Sequence, residues 1–163
     1  MTEGRVGLSY FVKLLGSSKW PMADDPWDRD PEMHIEVRFP PRPAPTNVSR
    51  GDEFIYYAVG GTKCIFGASR ALDPPVLNDR HSNPEVARLW PYAAPVELRK
   101  GACVPSLSLA PSLASVGPDL QAQIGHGVSH FEIGHEDFAR ALRLLERATQ
   151  DAAKRGIHLS GAS

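Results

Sequence analysis

Cysteine is scarce: the 163 residues hold two, Cys64 and Cys103, far apart and in no pair with metal-ligand spacing. That excludes a disulfide framework and a cysteine zinc site, and two reduced thiols are expected. No apolar run approaches the ~20 residues that span a bilayer. Met1-Thr2-Glu3-Gly4-Arg5 lacks the basic and apolar regions of a secretion signal, so a cytoplasmic protein is expected. An excess of one charge is missing too. With 18 Lys and Arg against 19 Asp and Glu, any hold on nucleic acid must come from a local basic face. Neither a Gly-x-Ser-x-Gly elbow nor a phosphate-binding glycine loop occurs, so no catalytic residue and no cofactor is predicted.

What is present suits a soluble globular domain. Apolar residues make up 42% and charged residues 23%, which argues against general disorder, and the length suits a single core. Fifteen prolines and 14 glycines predict many turns between short elements, with strands outnumbering helices.

The clearest local signal is a β-hairpin over residues 49–69. Glu53 to Val59 is aromatic and β-branched, with Phe54 and Tyr56 facing opposite to Ile55 and Tyr57. Gly60-Gly61 can supply positive φ for the reversal, and Cys64 to Ser69 returns, with Gly67 marking a bulge or a close backbone approach. Val6 to Leu15 reads as a central strand, since its apolar side chains fall at both parities. Met33 to Phe39 alternates, predicting Met33, Ile35, Val37 and Phe39 inward and His34, Glu36 and Arg38 outward. Pro40 to Pro45 is an extended surface crossing.

Residues 72–84 read as a polar loop, followed by a short helix from Pro84 and a strand over Trp90 to Arg99, its first half placed at an edge by Pro91 and Pro95. Val104 to Gln123 is read as short helical turns or packed loop, and Gly125 to Ile133 as a last strand. His135 to Lys154 is a helix. Phe138, Ala141, Leu142, Leu145 and Ala148 make one apolar stripe on it, and Glu136 and Asp137 sit at the positive end of its dipole.

Two constellations suggest metals and fail on chemistry. His126 and His130 would share one face of an extended chain with His135 on the other, glycines 125, 127 and 134 disfavour a helix, and no Cys or carboxylate completes a ligand set. Asp24, Asp25 and Asp28 read as a solvated acidic loop. No metal site is predicted. More telling is an aromatic and basic set spread over separate segments: Lys13, Trp20, Trp27, Tyr56, Tyr57, Arg70, Trp90 and Tyr92. Aromatic faces stack on planar bases and attract cationic groups, and neighbouring Lys or Arg can engage phosphate. Trp20 and Trp27, in polar irregular chain, either cap the core or line a binding surface.

The order of segments resembles the EVE domain of the PUA-like superfamily, which also includes YTH and ASCH domains. Tyr10-Phe11-Val12-Lys13 with Ser17-Ser18-Lys19-Trp20 is similar to that family's opening strand and loop. Arg50-Gly51-Asp52-Glu53-Phe54-Ile55-Tyr56-Tyr57 resembles its Gly-Asp strand with paired aromatics. Ile65 to Ser69, Trp90-Pro91-Tyr92, and Phe131-Glu132-Ile133 leading to Glu136-Asp137-Phe138 resemble its later elements. The chain departs from the pattern at Leu14-Leu15-Gly16, in an extra stretch over 21–48 and in a long loop over 72–89.

The resemblance implies an α+β fold, a small and mostly antiparallel PUA-like β-barrel closed by a C-terminal helix, over residues 1–155, with 156–163 a flexible tail. It also implies a non-catalytic nucleic-acid-binding module, for DNA or RNA, that takes a modified base into an aromatic pocket. The residues expected there are Lys13, Ser17, Ser18, Trp20, Trp27, Tyr57, Arg70 and Trp90, with Arg50 a further phosphate contact. Two other readings stay open. One is an ASCH-like hydrolase of a modified nucleoside, with Lys13 beside Glu53 or Glu97. The other is a protein-interaction module using Pro40 to Pro45 or exposed tryptophans, which a lack of any ligand-sized concavity beside Trp20 and Trp90 would favour.

Overall fold

Runs of aromatic and β-branched residues become strands much where their pattern predicts. The computed structural model describes residues 8–17, 19–42, 44–60, 63–125 and 128–159. Its strands are β1 Tyr10–Leu15, β2 Glu36–Phe39, β3 Glu53–Ala58, β4 Ile65–Ala71, β5 Val76–Leu77, β6 Tyr92–Leu98 and β7 His130–Ile133. Its helices are α1 Pro26–Arg29, α2 Pro84–Leu89, α3 Pro118–Gln121 and α4 His135–Lys154, with 3-10 turns at Pro31–His34, Lys100–Ala102, Leu107–Leu109 and Leu113–Ser115. The strands form one mixed sheet in the order β2-β6-β4-β3-β1-β7, with β5 also paired to β6. Only β1 and β3 run parallel. The fold class is α+β, and none of the described helices is long and apolar enough to cross a membrane.

Alternation along the strands divides the core in two. Phe11, Phe54, Tyr56 and Phe66 point into the curl of the sheet, where Trp27, Met33, Val37 and Phe39 join them. Val12, Ile55, Tyr57, Ile65 and Ala68 point to the outer face and meet Phe138, Ala141 and Leu145 of α4. The 3.6-residue apolar stripe therefore covers the sheet as its pattern predicts, with Leu142 and Ala148 packed at its margin. Burying a large side chain of this kind contributes about 1.5–3 kcal/mol, so these two clusters carry most of the fold's apolar stabilisation.

The sheet curls far enough to bring its two ends together. The His130 ring on β7 lies 5.2 Å from the Phe39 ring on β2 and 5.4 Å from the Phe11 ring. His130 Nε2 lies 2.7 Å from Asn47 Oδ1. Side chains fill this seam where a full barrel would have a ladder, since β2 and β7 are the two ends of the pairing path.

Three local expectations need correction. Ile35 is 65% exposed, because Met33 and His34 belong to a 3-10 turn and strand alternation begins only at Glu36. Arg38, expected outward, is 7% exposed. The first half of β6 is not an edge, for Tyr92 and Ala93 pair with β2 on one side and β5 on the other. Pro95 is tolerated there because Val96 N–H bonds Ile35 on the β2 side, so the Pro95 nitrogen faces the gap between β5 and β4. In the hairpin turn Gly60 has φ +87° as predicted, whereas Gly61 lies outside the described residues. Both cysteines are buried free thiols. Leu159, in the stretch read as tail, packs against the inner core.

Candidate functional site

A cavity of about 340 Å³ opens beside the end of β1. Its wall begins with Leu14, Leu15 and Gly16, where the chain leaves the sheet. Gly16 has φ +79°, and a Cβ there would meet Met22 Cγ at 3.0 Å and Trp20 O at 3.1 Å, so this turn needs glycine on both counts. Ser17 closes the turn: its N–H donates to Trp20 O, and its Oγ accepts from Trp20 N–H, each at 3.0 Å. Trp20 is thereby held on the cavity wall while 47% exposed. The Lys19 ammonium lies 4.8 Å from its ring centroid. Trp90, at the end of α2, lines the same cavity, as do Met22, Met33, Val37 and Val86.

Arg38 ties this wall together. Its Nε donates to Glu36, its Nη1 to the carbonyls of Asn78 at 2.9 Å and Trp90 at 3.0 Å, and its Nη2 to the carbonyl of Arg80. One guanidinium thus fixes β2, the 78–80 loop and the main chain of Trp90. Asp30, Glu32 and His81 complete the polar lining. A hydrogen bond from Ser82 is the main cause holding the Glu32 carboxyl below its usual range.

Glu32, Glu36 and His81 offer ligand atoms within 4.8 Å of one another, a donor set that suits a divalent cation by type. The hydrogen bonding argues otherwise. His81 Nδ1 accepts the Asn83 N–H at 2.8 Å, so the neutral ring carries its proton on Nε2, which faces Asp30 Oδ1 at 3.2 Å and Glu32 Oε2 at 3.4 Å. The nitrogen nearest the carboxylates is a donor and has no lone pair for a metal.

The structure brings together some of the residues expected from sequence and disperses others. Trp20 and Trp90 share the cavity, with Ser17 supporting Trp20. Ser18 lies outside the described residues, as does His126. Trp27 is in the core, 2% exposed, its indole N–H donating to Val104 O at 2.9 Å. Tyr57 is buried on the opposite, α4-facing side, its hydroxyl accepting from Gln121. Arg70 is exposed on β4 and paired with Glu97 at 2.7 Å. Lys13 is 1% exposed inside the curl, its Nζ donating to Leu14 O at 2.7 Å and lying 5.0 Å from the Phe39 centroid. Burial pushes its ammonium down to about 7. Glu53 is bound by Arg99, and neither Lys13, Glu53 nor Glu97 lines the cavity.

No family model and no curated protein matches this sequence. Solved structures do. The YTH domain of Mmi1, crystallised with RNA, superposes with a TM-score of 0.53 at 12% identity, over 93% of this chain and 84% of that one. Rpa0253 from Rhodopseudomonas palustris gives 0.51 at 13% identity, over 84% and 92%. Atu2648 from Agrobacterium tumefaciens gives 0.50 at 15%, again over 84% and 92%. The fold is PUA-like. The stretch 21–48 and the loop 72–89 furnish most of the polar cavity wall: Asp30, Glu32, Glu36, Arg38 and His81. Sequence reasoning missed these five because they come from two stretches distant in sequence, brought together by β2–β6 and β5–β6 pairing and by the contacts of Arg38 and His81. The one available hint was polar residues at alternate positions of β2.

Proposed function

We propose that this PUA-like domain binds nucleic acid without catalysis and holds one base, taken out of the stack, in the cavity shared by Trp20 and Trp90. The observation that carries the reading is that shared cavity, whose ~340 Å³ lies within the usual range of about 300–1,000 Å³ for small-ligand pockets. An aromatic stack contributes about 1–3 kcal/mol per base, enough to offset much of the few kcal/mol that unstacking costs. A ligand-sized concavity beside these two tryptophans also removes the main reason to prefer a protein-interaction module. Lys19, Arg80 and Arg88 are exposed near Trp20 and Trp90 in the chain and supply phosphate contacts. The Mmi1 domain solved with RNA shares the fold, which supports the reading at the level of fold alone.

The test is a tryptophan fluorescence titration with short single strands and duplexes, with and without a methylated base, at low and moderate salt. Saturable quenching that a Trp20→Ala variant loses supports the reading. No response even at low salt, where phosphate contacts are strongest, overturns it.

A further inference from the structure

The polar part of the cavity wall is acidic. Asp30, Glu32 and Glu36 lie on it, with Arg29 and Arg38 the cations of the described lining. Arg38 is committed to Glu36 and three main-chain carbonyls. Arg29, its side chain 73% exposed, pairs with Asp25, which is not part of the wall. His81 turns its Nε2 toward Asp30 and Glu32 while its Nδ1 accepts the Asn83 N–H. Lys19 sits over Trp20 but is not part of the wall. With Arg38 held by Glu36 and three carbonyls, Asp30 and Glu32 have no lysine or arginine paired with them among the described residues and face only the His81 ring.

Those carboxylates retain acceptor capacity. Asp30 uses Oδ1 toward His81, Glu36 uses Oε2 toward Arg38, and Glu32 accepts the Ser82 N–H on Oε1 with His81 Nε2 3.4 Å from its Oε2. Asp30 Oδ2 and Glu36 Oε1 take no hydrogen bond from the described residues. A ligand complementary to this wall brings N–H donors and positive charge. The tryptophans favour the same thing, because an indole face attracts a cation more than a neutral ring. Lys19 over Trp20 shows such a contact within the protein itself.

We infer that the cavity selects a cationic, ring-N-methylated purine of the 7-methylguanine type, planar for the tryptophans and donating its N1–H and N2–H edge to a carboxylate of the Asp30, Glu32 and Glu36 set. The inference rests on the base-binding reading and narrows it. Methylation at N7 places a positive charge in the ring system beside these carboxylates, and because each carboxylate oxygen can accept two hydrogen bonds, N1–H and N2–H find acceptor sites beyond those already taken. Neutral N6-methyladenine brings no charge and a single donor at the methylated amine. Anionic groups are repelled by Asp30 and Glu32.

The test titrates the full chain by tryptophan fluorescence with 7-methylguanosine, guanosine, N6-methyladenosine and tetramethylammonium, then repeats it with Glu32→Gln and Glu36→Gln. Expected is saturable binding of 7-methylguanosine about tenfold or more tighter than guanosine, a preference that Glu32→Gln reduces. Raising the pH until 7-methylguanosine loses its N1 proton weakens binding by a similar factor. Should Glu36→Gln unfold through loss of its partner Arg38, Glu32→Gln and the pH series decide the matter. Equal affinity for guanosine, or tighter binding of N6-methyladenosine, overturns the inference and leaves base binding standing. Tetramethylammonium binding as tightly as 7-methylguanosine overturns it in favour of a simple cation cage. Failure of every nucleoside, together with every oligonucleotide of the preceding test, removes both readings.

Discussion

Trp27 lies so close over Gly67 that a Cβ at residue 67 would sit 2.6 Å from Trp27 Cζ2. The indole is not free to retreat: its N–H is held by Val104 O, and Tyr56, Phe66 and His34 surround the ring. Gly67 also adjoins the register shift at Tyr56 and Tyr57, so the bulge and the close approach are one feature. Gly67→Ala is therefore expected to destabilise the domain by about 1–3 kcal/mol through overpacking. Gly101→Ala, with nothing within 4 Å, should change it by less than ~0.5 kcal/mol. Urea midpoints of the two variants check this, and equal midpoints would sink it.

The three tryptophans divide into a buried one and two at the cavity, and their variants should divide likewise. Trp27→Ala removes a fully packed ring and is expected to cost about 3–5 kcal/mol of stability. Trp20→Ala removes a half-exposed ring and should leave stability within ~1 kcal/mol while abolishing ligand-dependent quenching. Denaturation and ligand titration on the same samples separate the two effects. A Trp20→Ala protein that binds normally contradicts the assignment of the cavity.

Lys13 and His130 give the stability curve a predictable slope. Burial lowers Lys13 from 10.5 to about 7, and burial first, then the Lys13 charge, lowers His130 from 6.5 to about 4. Between pH 7 and 10.5 the unfolded chain binds a proton on Lys13 that the folded chain lacks, so stability rises with pH across that window. His130 acts in the same sense between pH 4 and 6.5. Lys13→Met is expected to stabilise the domain on the order of 2 kcal/mol near neutral pH and to flatten the alkaline rise. His130→Gln should flatten the acid limb. Urea unfolding from pH 5 to 9.5 tests both, and an unaltered slope in Lys13→Met counts against the buried ammonium.

The legibility of the chain follows the range of the interactions that decide each part. The hairpin, α2 and α4 depend on residues within a turn or two of one another, and Phe54, Pro84 and Phe138 sit where local periodicity places them. β6 misled because a proline was read without its neighbours, and whether Pro95 lacks a partner depends on β5 ending where β4 begins. Trp27 carried no local sign of burial. What decides it is the open space over Gly67, a residue distant in sequence, and the Val104 carbonyl. Trp20 and Trp90 were legible as members of the aromatic and basic set, whereas the acidic part of the cavity arises from chain crossings that no periodicity encodes.

Arg38 is the residue on which that acidic part depends. Its guanidinium reaches Glu36 and the carbonyls of Asn78, Arg80 and Trp90 at once, while its side chain is 7% exposed. A lysine has the charge but not the planar fork, and its ammonium cannot serve four acceptors lying in different directions. Arg38→Lys is therefore expected to destabilise the domain by about 1–3 kcal/mol, since half-buried carbonyls and Glu36 lose their partner. Because Trp90 is anchored through its carbonyl, the same variant should also weaken ligand quenching at temperatures where the protein remains folded. Arg88→Lys, on the exposed face of α2 and paired with Glu85, is the control for stability and should leave the urea midpoint unchanged. If Arg38→Lys matches this control in stability and the unaltered protein in binding, the guanidinium does not hold the cavity wall.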